Sequence, residues 1–196
     1  VTSAIVMCGN VANIMAPNEK GTAALFMKQP ILTTEEMSVI KSLNTSKLRS
    51  AILSMLYPVH SGPEAMETAI ESICIDALKA IKKGANILIL SDRGVNSRMA
   101  AIPALLATAA LHNYLIRQKV RSNVGLILES GEPREVHHFC ALIGYGLTAV
   151  NPYLAHACVR AMCRDGQIGK TPEEAVRDYD KALTAGVLKI ASKMGV

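Results

Sequence analysis

Three apolar runs govern what this chain can fold into: Asn86-Ile-Leu-Ile-Leu-Ser91, Asn123-Val-Gly-Leu-Ile-Leu128 and the shorter Leu147-Thr-Ala-Val150. Each is followed by a polar stretch and then by a segment with helical character. Strands that are apolar at nearly every position, not at every second one, belong to sheets covered on both faces. Such strands alternating with helices predict an α/β fold: a parallel sheet built from βα repeats with right-handed crossovers. Arg49 to Tyr57, with Ala51, Leu53, Met55 and Tyr57 on one side and Ile52 and Leu56 on the other, reads as one more strand buried on both sides. Four such units fit either an open doubly wound sheet or half of a barrel, and periodicity alone does not separate the two.

The helix boundaries carry their own chemistry. Thr33 and Glu36 have capping-box spacing and open a short helix to about Leu43. Ser61-Gly62-Pro63-Glu64 supplies a cap, a proline suited to the first turn and an acid for the positive end of the helix dipole. Met66, Ile70, Ile73, Ala77 and Ile81 then recur at helical spacing, up to the stop at Lys82-Lys83-Gly84. Further helices are predicted over 102–119, 134–143 and 153–163. Thr171-Pro172-Glu173-Glu174 opens a last one, to about Lys193. Residues 1–30 are the least regular part: Val1 to Val6 suits a strand, while Gly9-Asn10 and Ala16-Pro17-Asn18 read as turns. The expected division is an irregular segment at 1–30 and an α/β domain at 31–196.

Composition narrows the function classes. The 196 residues are 50% hydrophobic and 19% charged, a globular balance. A net charge of +5 is spread along the chain, and with 4% aromatics and no Trp there is little to stack on bases, so no nucleic-acid partner is expected. No apolar run reaches the roughly 18 residues of a membrane span, so no membrane partner is expected either. Five cysteines, an odd number, without a CxxC pair suit reduced thiols in an intracellular setting, cytoplasmic or organellar, with a plastid among the options. Val1 in place of Met fits a processed chain or a piece cut from a longer one.

In α/β folds chemistry sits beyond the carboxyl ends of the strands. Four polar loops converge there, and they offer Ser91, Asp92, Arg93, Glu129, Glu132, Arg134, Asn151 and Tyr153 as a candidate rim. Helix starts and tight turns need such residues in any case. Asp92 and Arg93 are expected to pair and order their loop. Ser130-Gly131 precedes a helix whose amides suit an anion, yet neither a dinucleotide nor a P-loop fingerprint is complete. His137 and His138 point about 100° apart on a helix and do not share a metal easily. The methionines at 27, 37, 55, 66 and 99 are expected in the core. The residues by themselves assign no reaction step, and no catalytic, cofactor-binding or metal-binding residue is assigned.

Four blocks go further. Asn86-Ile-Leu-Ile-Leu-Ser-Asp-Arg-Gly94, Ile102-Pro-Ala-Leu-Leu-Ala-Thr-Ala-Ala110, Glu129-Ser-Gly-Glu-Pro-Arg-Glu-Val-His-His-Phe139 and Ala149-Val-Asn-Pro-Tyr-Leu154 together resemble the central domain of glutamate synthases. Pro30-Ile-Leu-Thr33 and Leu188-Lys-Ile-Ala-Ser-Lys-Met-Gly195 agree with that family's flanking segments, and residues 1–28 match least. The resemblance implies a degenerate, partial (β/α)-barrel-like domain that binds no flavin itself. It implies a parent enzyme that makes two glutamates from glutamine and 2-oxoglutarate, with FMN and an iron–sulfur cluster housed elsewhere. The expected partners are an amidotransferase domain and an FMN-binding domain of the same polypeptide, with this domain as a linker that helps wall an ammonia tunnel. The competing expectation is a stand-alone α/β homologue holding a small anionic ligand at the strand-end rim.

Overall fold

The computed structural model describes residues 3–10 and 23–195. In chain order the elements are β1 (Val6–Asn10), β2 (Ala23–Met27), α1 (Thr34–Lys41), β3 (Ser50–Ser54), β4 (Leu56–Pro58), α2 (Ala65–Lys82), β5 (Ile87–Ser91), β6 (Met99–Ala101), α3 (Ala104–Arg117), β7 (Gly125–Glu129), α4 (Val136–Gly144), β8 (Ala149–Asn151), α5 (Tyr153–Arg164) and α6 (Pro172–Met194). The principal sheet has the order β3-β5-β7-β8, with every pair parallel. The α/β class with βα repeats is therefore as the apolar runs predict.

Strand order decides between the two architectures. A doubly wound sheet reverses direction at a switch point. Here the order never reverses, so consecutive crossovers of one hand bring their helices to a single face. The core confirms this. Leu88, Leu90, Leu126, Leu128 and Val150 face Ile73 and Ala77 of α2, Leu111 and Leu115 of α3, and Phe139 and Leu142 of α4. The alternate residues Ile87, Ile89, Ile127 and Ala149 form a second cluster with Cys8, Met27, Met37 and Ile40, from the β1–β2 ribbon and α1. Helices thus cover one face, and the ribbon with α1 covers the other, as in a stretch of barrel whose inner face has been lidded. Each fully buried Leu or Ile here contributes about 2 kcal/mol of apolar transfer.

The first described residues of the α/β part also reach across the molecule. Ile31 bridges Val150 in parallel sense, with Leu32 N–H donating to Val150 O at 2.9 Å and Val150 N–H donating to Pro30 O at 2.8 Å. The β8 edge is therefore finished by the chain itself.

Several local expectations are corrected. Arg49 to Tyr57 is not one strand. It breaks at Met55, and Leu56–Pro58 leaves the sheet to pair antiparallel with β6, a strand the helix-rich pattern did not signal. β3 is not buried on both faces, since Leu53 is buried while Ile52, on the opposite face, is 55% exposed. Segment 1–30, read as irregular, carries the antiparallel β1–β2 ribbon, and Gly9-Asn10 closes β1 instead of forming a turn. The strand expected at Val1 to Val6 begins only at Val6. The turn expected at Ala16-Pro17-Asn18 lies outside the described residues. Ser61 does not cap α2, whose N-cap is Glu64 without a side-chain hydrogen bond. The capping boxes at Thr33 and Thr171 both form. Among the methionines, 27, 37 and 55 are buried, while 66 and 99 are half-buried.

Candidate functional site

The last rungs of the parallel sheet put Ser54, Ser91, Glu129 and Asn151 in one row, strand by strand. The row follows from pleat geometry. Ile87, Ile89 and Ser91 share a face of β5, Ile127 and Glu129 a face of β7, and Ala149 and Asn151 a face of β8. The polar row therefore crowns the same face that α1 and the ribbon cover. Ser91, Glu129 and Asn151 are buried.

Glu129 is the centre of the row. Its carboxylate accepts from Ser91 Oγ at 2.5 Å and from Lys41 Nζ, at the end of α1, at 2.7 and 2.6 Å to its two oxygens. Arg93 Nε adds a contact of 3.2 Å. Desolvation pushes the Glu129 carboxyl up, but hydrogen bonds from Lys41 and Ser91, with the Lys41 and Arg93 charges, outweigh it and hold it below its usual range. The Arg93 guanidinium also lies 3.6 Å above the Tyr153 ring, a cation–π contact. The Tyr153 phenol is pushed up to about 12, first by burial, then by the neighbouring Asp92 carboxylate.

Asp92 does not pair with Arg93 as the adjacent charges suggested. Its Oδ2 accepts from Ser130 Oγ at 2.7 Å and from the Gly131 amide at 2.9 Å, so it stitches the loop after β5 to the loop after β7. Glu132 N–H in turn donates to Ser130 Oγ at 3.1 Å. The Glu132 carboxylate turns the other way, and both its oxygens accept from Ala104 N–H at 3.1 Å. It caps α3, whose own N-cap residue is Pro103 and supplies no side-chain bond. Arg134 is exposed, and its amide donates to His138 Nδ1 at 3.2 Å. The Glu135 amide does the same at 3.3 Å, so His138 Nδ1 serves the start of α4. Asn151 Nδ2 donates to Leu32 O at 2.8 Å, tying β8 to the strand-like Pro30–Leu32 segment.

The candidate rim therefore divides. Ser91, Arg93, Glu129 and Tyr153 form one connected group, and the Asp92 carboxylate lies at its border beside Tyr153. Glu132 and Arg134 are committed to helix starts, and Asn151 to the sheet edge. The chain matches the model of the glutamate synthase central domain over residues 1–196. It belongs to that family. It is 40% identical over its whole length to the glutamate synthase [NADPH] large chain of Bacillus subtilis, 37% identical over its whole length to the glutamate synthase [NADH] of Schizosaccharomyces pombe, and 38% identical over 96% of its length to the glutamate synthase [NADPH] large chain of Azospirillum brasilense. It spans 13%, 10% and 12% of those three relatives.

Sequence reasoning missed two participants in this glutamate synthase central domain. Lys41 falls inside the short helix predicted to about Leu43, and nothing local announces that it meets a residue 88 positions later. His156 was passed over, yet it is fully buried, and its Nε2 lies 2.7 Å from Asp180 Oδ1, which joins α5 to α6. The Tyr179 ring stands edge-on to it at 6.0 Å. The amphipathic pattern of α5 could have placed His156 on the apolar side, but its partner is visible only in three dimensions. No helix among the described residues is long and apolar enough to cross a membrane.

Proposed function

We propose that this chain is the linker domain of a glutamate synthase, holding an amidotransferase domain and an FMN- and iron–sulfur-containing synthase domain in register and helping to wall the ammonia path between them, without a reaction step of its own. The family match supports the parent enzyme. The observation that carries the structural role is that the buried carboxylate at the centre of the rim is held by the chain's own groups, while Asp92 Oδ1 and Asn151 Oδ1 stay without a partner among the described residues. At the strand ends, where barrel enzymes hold their substrates, Glu129 already occupies Lys41, Arg93 and Ser91.

The loop between β7 and α4 offers a flavin phosphate few free amides. The loop amides that lead into α4 face the chain's own acceptors: Gly131 faces Asp92, Glu132 faces Ser130, and Arg134 and Glu135 face His138. No step is derived through FMN or a cluster in this domain. The same arrangement argues against Lys41 and Arg93 as holders of a small anionic ligand, because both already contact Glu129. Holding two sites in register matters because fixed geometry is worth many orders of magnitude when a reactive intermediate is passed on.

The test is coupling. In the longer polypeptide, Lys41→Met should leave glutamine hydrolysis standing and let more ammonia escape per 2-oxoglutarate aminated. Purified with FMN, the 196-residue chain should give no stoichiometric yellow complex. Unchanged coupling, or such a complex, overturns the reading.

A further inference from the structure

The two edges of the principal sheet are treated differently. The β8 edge is finished by Pro30–Leu32, whereas β3 has no partner on its outer side among the described residues. In a parallel pair, alternate residues turn both backbone groups toward the neighbour. Met55 N–H donates to Ser91 O, and Arg49 O accepts from Asn86 and Ile87 N–H, so the odd-numbered residues serve β5. The even-numbered ones face outward. Ser50 N–H does so and is taken by Leu43 O. That leaves Ile52 N–H and Ser54 N–H as donors and the carbonyls of Ser50, Ile52 and Ser54 as acceptors in an open ladder among the described residues, with Ile52 itself 55% exposed.

Beside this ladder lies a cleft of about 380 Å³, floored by Leu53, Leu56, Ala69 and Ile73 and edged by Ser72 and Asp76. Alternating backbone donors and acceptors next to a cleft lined by Ser54, Ser72 and Asp76 as well as by apolar side chains match an extended peptide, whose own backbone answers the ladder while every second side chain enters the cleft. An exposed parallel edge of this kind is a pairing template that folded proteins ordinarily cover.

From this we infer that the outer edge of β3 is a strand-addition site, and that its occupant is an extended segment of the longer polypeptide that carries this domain. The inference rests on the linker reading above. The choice of occupant follows from length: the matched relatives are roughly eight to ten times longer than this chain, so an intramolecular segment has a high effective concentration that a second copy lacks.

The experiment uses that longer polypeptide at two protein concentrations. Amide exchange is read at Ile52 and Ser54, and a photo-crosslinking residue replaces Ser54. Exchange slowed at least ~100-fold below the rate of an unstructured peptide, with a concentration-independent crosslink to a segment of the same molecule, supports the site. Unprotected amides at both positions overturn it, and so does a crosslink only between copies. As a second variant, Ile52→Pro removes an outward donor while sparing the bonds to β5, and should abolish the crosslink with the β5 amides still protected. A reading frame confined to these 196 residues overturns the linker reading and the intramolecular occupant together. Open amides in an intact, coupled enzyme overturn the edge site alone.

Discussion

Ser91 and Glu129 face each other across the last rung between β5 and β7, and the serine hydroxyl donates to the buried carboxylate at 2.5 Å. That bond alone would not hold a charge away from water. Lys41 supplies the balance from α1, so helix, serine and carboxylate form one unit that fastens the lid of the inner face to the end of the sheet.

Breaking that unit from one side leaves a charge behind. Lys41→Met should lower stability by about 3 kcal/mol, the usual result of stripping the partner from a buried ion. Lys41→Met with Glu129→Leu should recover much of the loss, because no uncompensated carboxylate remains. Urea denaturation of the single and double variants measures both; additive losses would count against the pairing.

The same carboxyl sets a pH dependence. Glu129 titrates below its usual value in the fold, so its contribution is present above the unfolded value of about 4.3 and disappears as the pH falls through the folded value. Wild type should therefore lose more stability than Glu129→Gln between pH 7 and pH 3. Parallel stability curves for the two proteins would show that Glu129 is not held low.

Glu132 caps α3 from 28 residues away, with both oxygens on Ala104 N–H. Glu132→Ala should cost about 1 kcal/mol, and Glu132→Gln less. Amide exchange at the first turn of α3 should speed up in the alanine variant, with the last turn unaffected.

Gly125 is where the ribbon presses on the sheet. A Cβ there would lie 2.1 Å from Cys8 Sγ and 2.7 Å from Gly9 N. Gly125→Ala should cost about 3 kcal/mol and lift β1. Adding Cys8→Ala should restore only part, because the Gly9 backbone stays in the way. Thiol labelling gives an independent reading. Burial pushes the Cys8 thiol up to about 12 and Cys158 is exposed, so Cys158 reacts first in wild type, and Cys8 should become reactive in Gly125→Ala.

What could be read from residues alone follows the range of the forces involved. Ile87 to Leu90 and Leu126 to Leu128 announce strands because burial on both faces leaves an unbroken apolar run. Thr33–Glu36 and Thr171–Glu174 announce helix starts because a capping box is closed within four residues. The split at Met55 was hidden, since Leu56 and Tyr57 continue the apolar pattern while changing sheets. The rim residues could be nominated from their place after the strands, but their partners could not. Asp92 beside Arg93 looks like an ion pair on paper, yet the two reach separately to the end of β7, Arg93 to Glu129 and Asp92 to Ser130 and Gly131. Lys41, His156 and Asp180 act through contacts 24 to 88 residues away, and no local pattern encodes those distances.

The bridge from Ile31 to Val150, with Asn151 reaching Leu32 across 119 residues, also constrains the order of events during synthesis. The stretch that finishes the β8 edge leaves the ribosome long before the strand it pairs with. The α1 lid and its lysine must likewise wait for β7 to emerge. The βα units between them can assemble as they appear, whereas the first-made part has to remain unpaired until nearly the whole domain has been translated, and it is there that a chaperone would find the chain open.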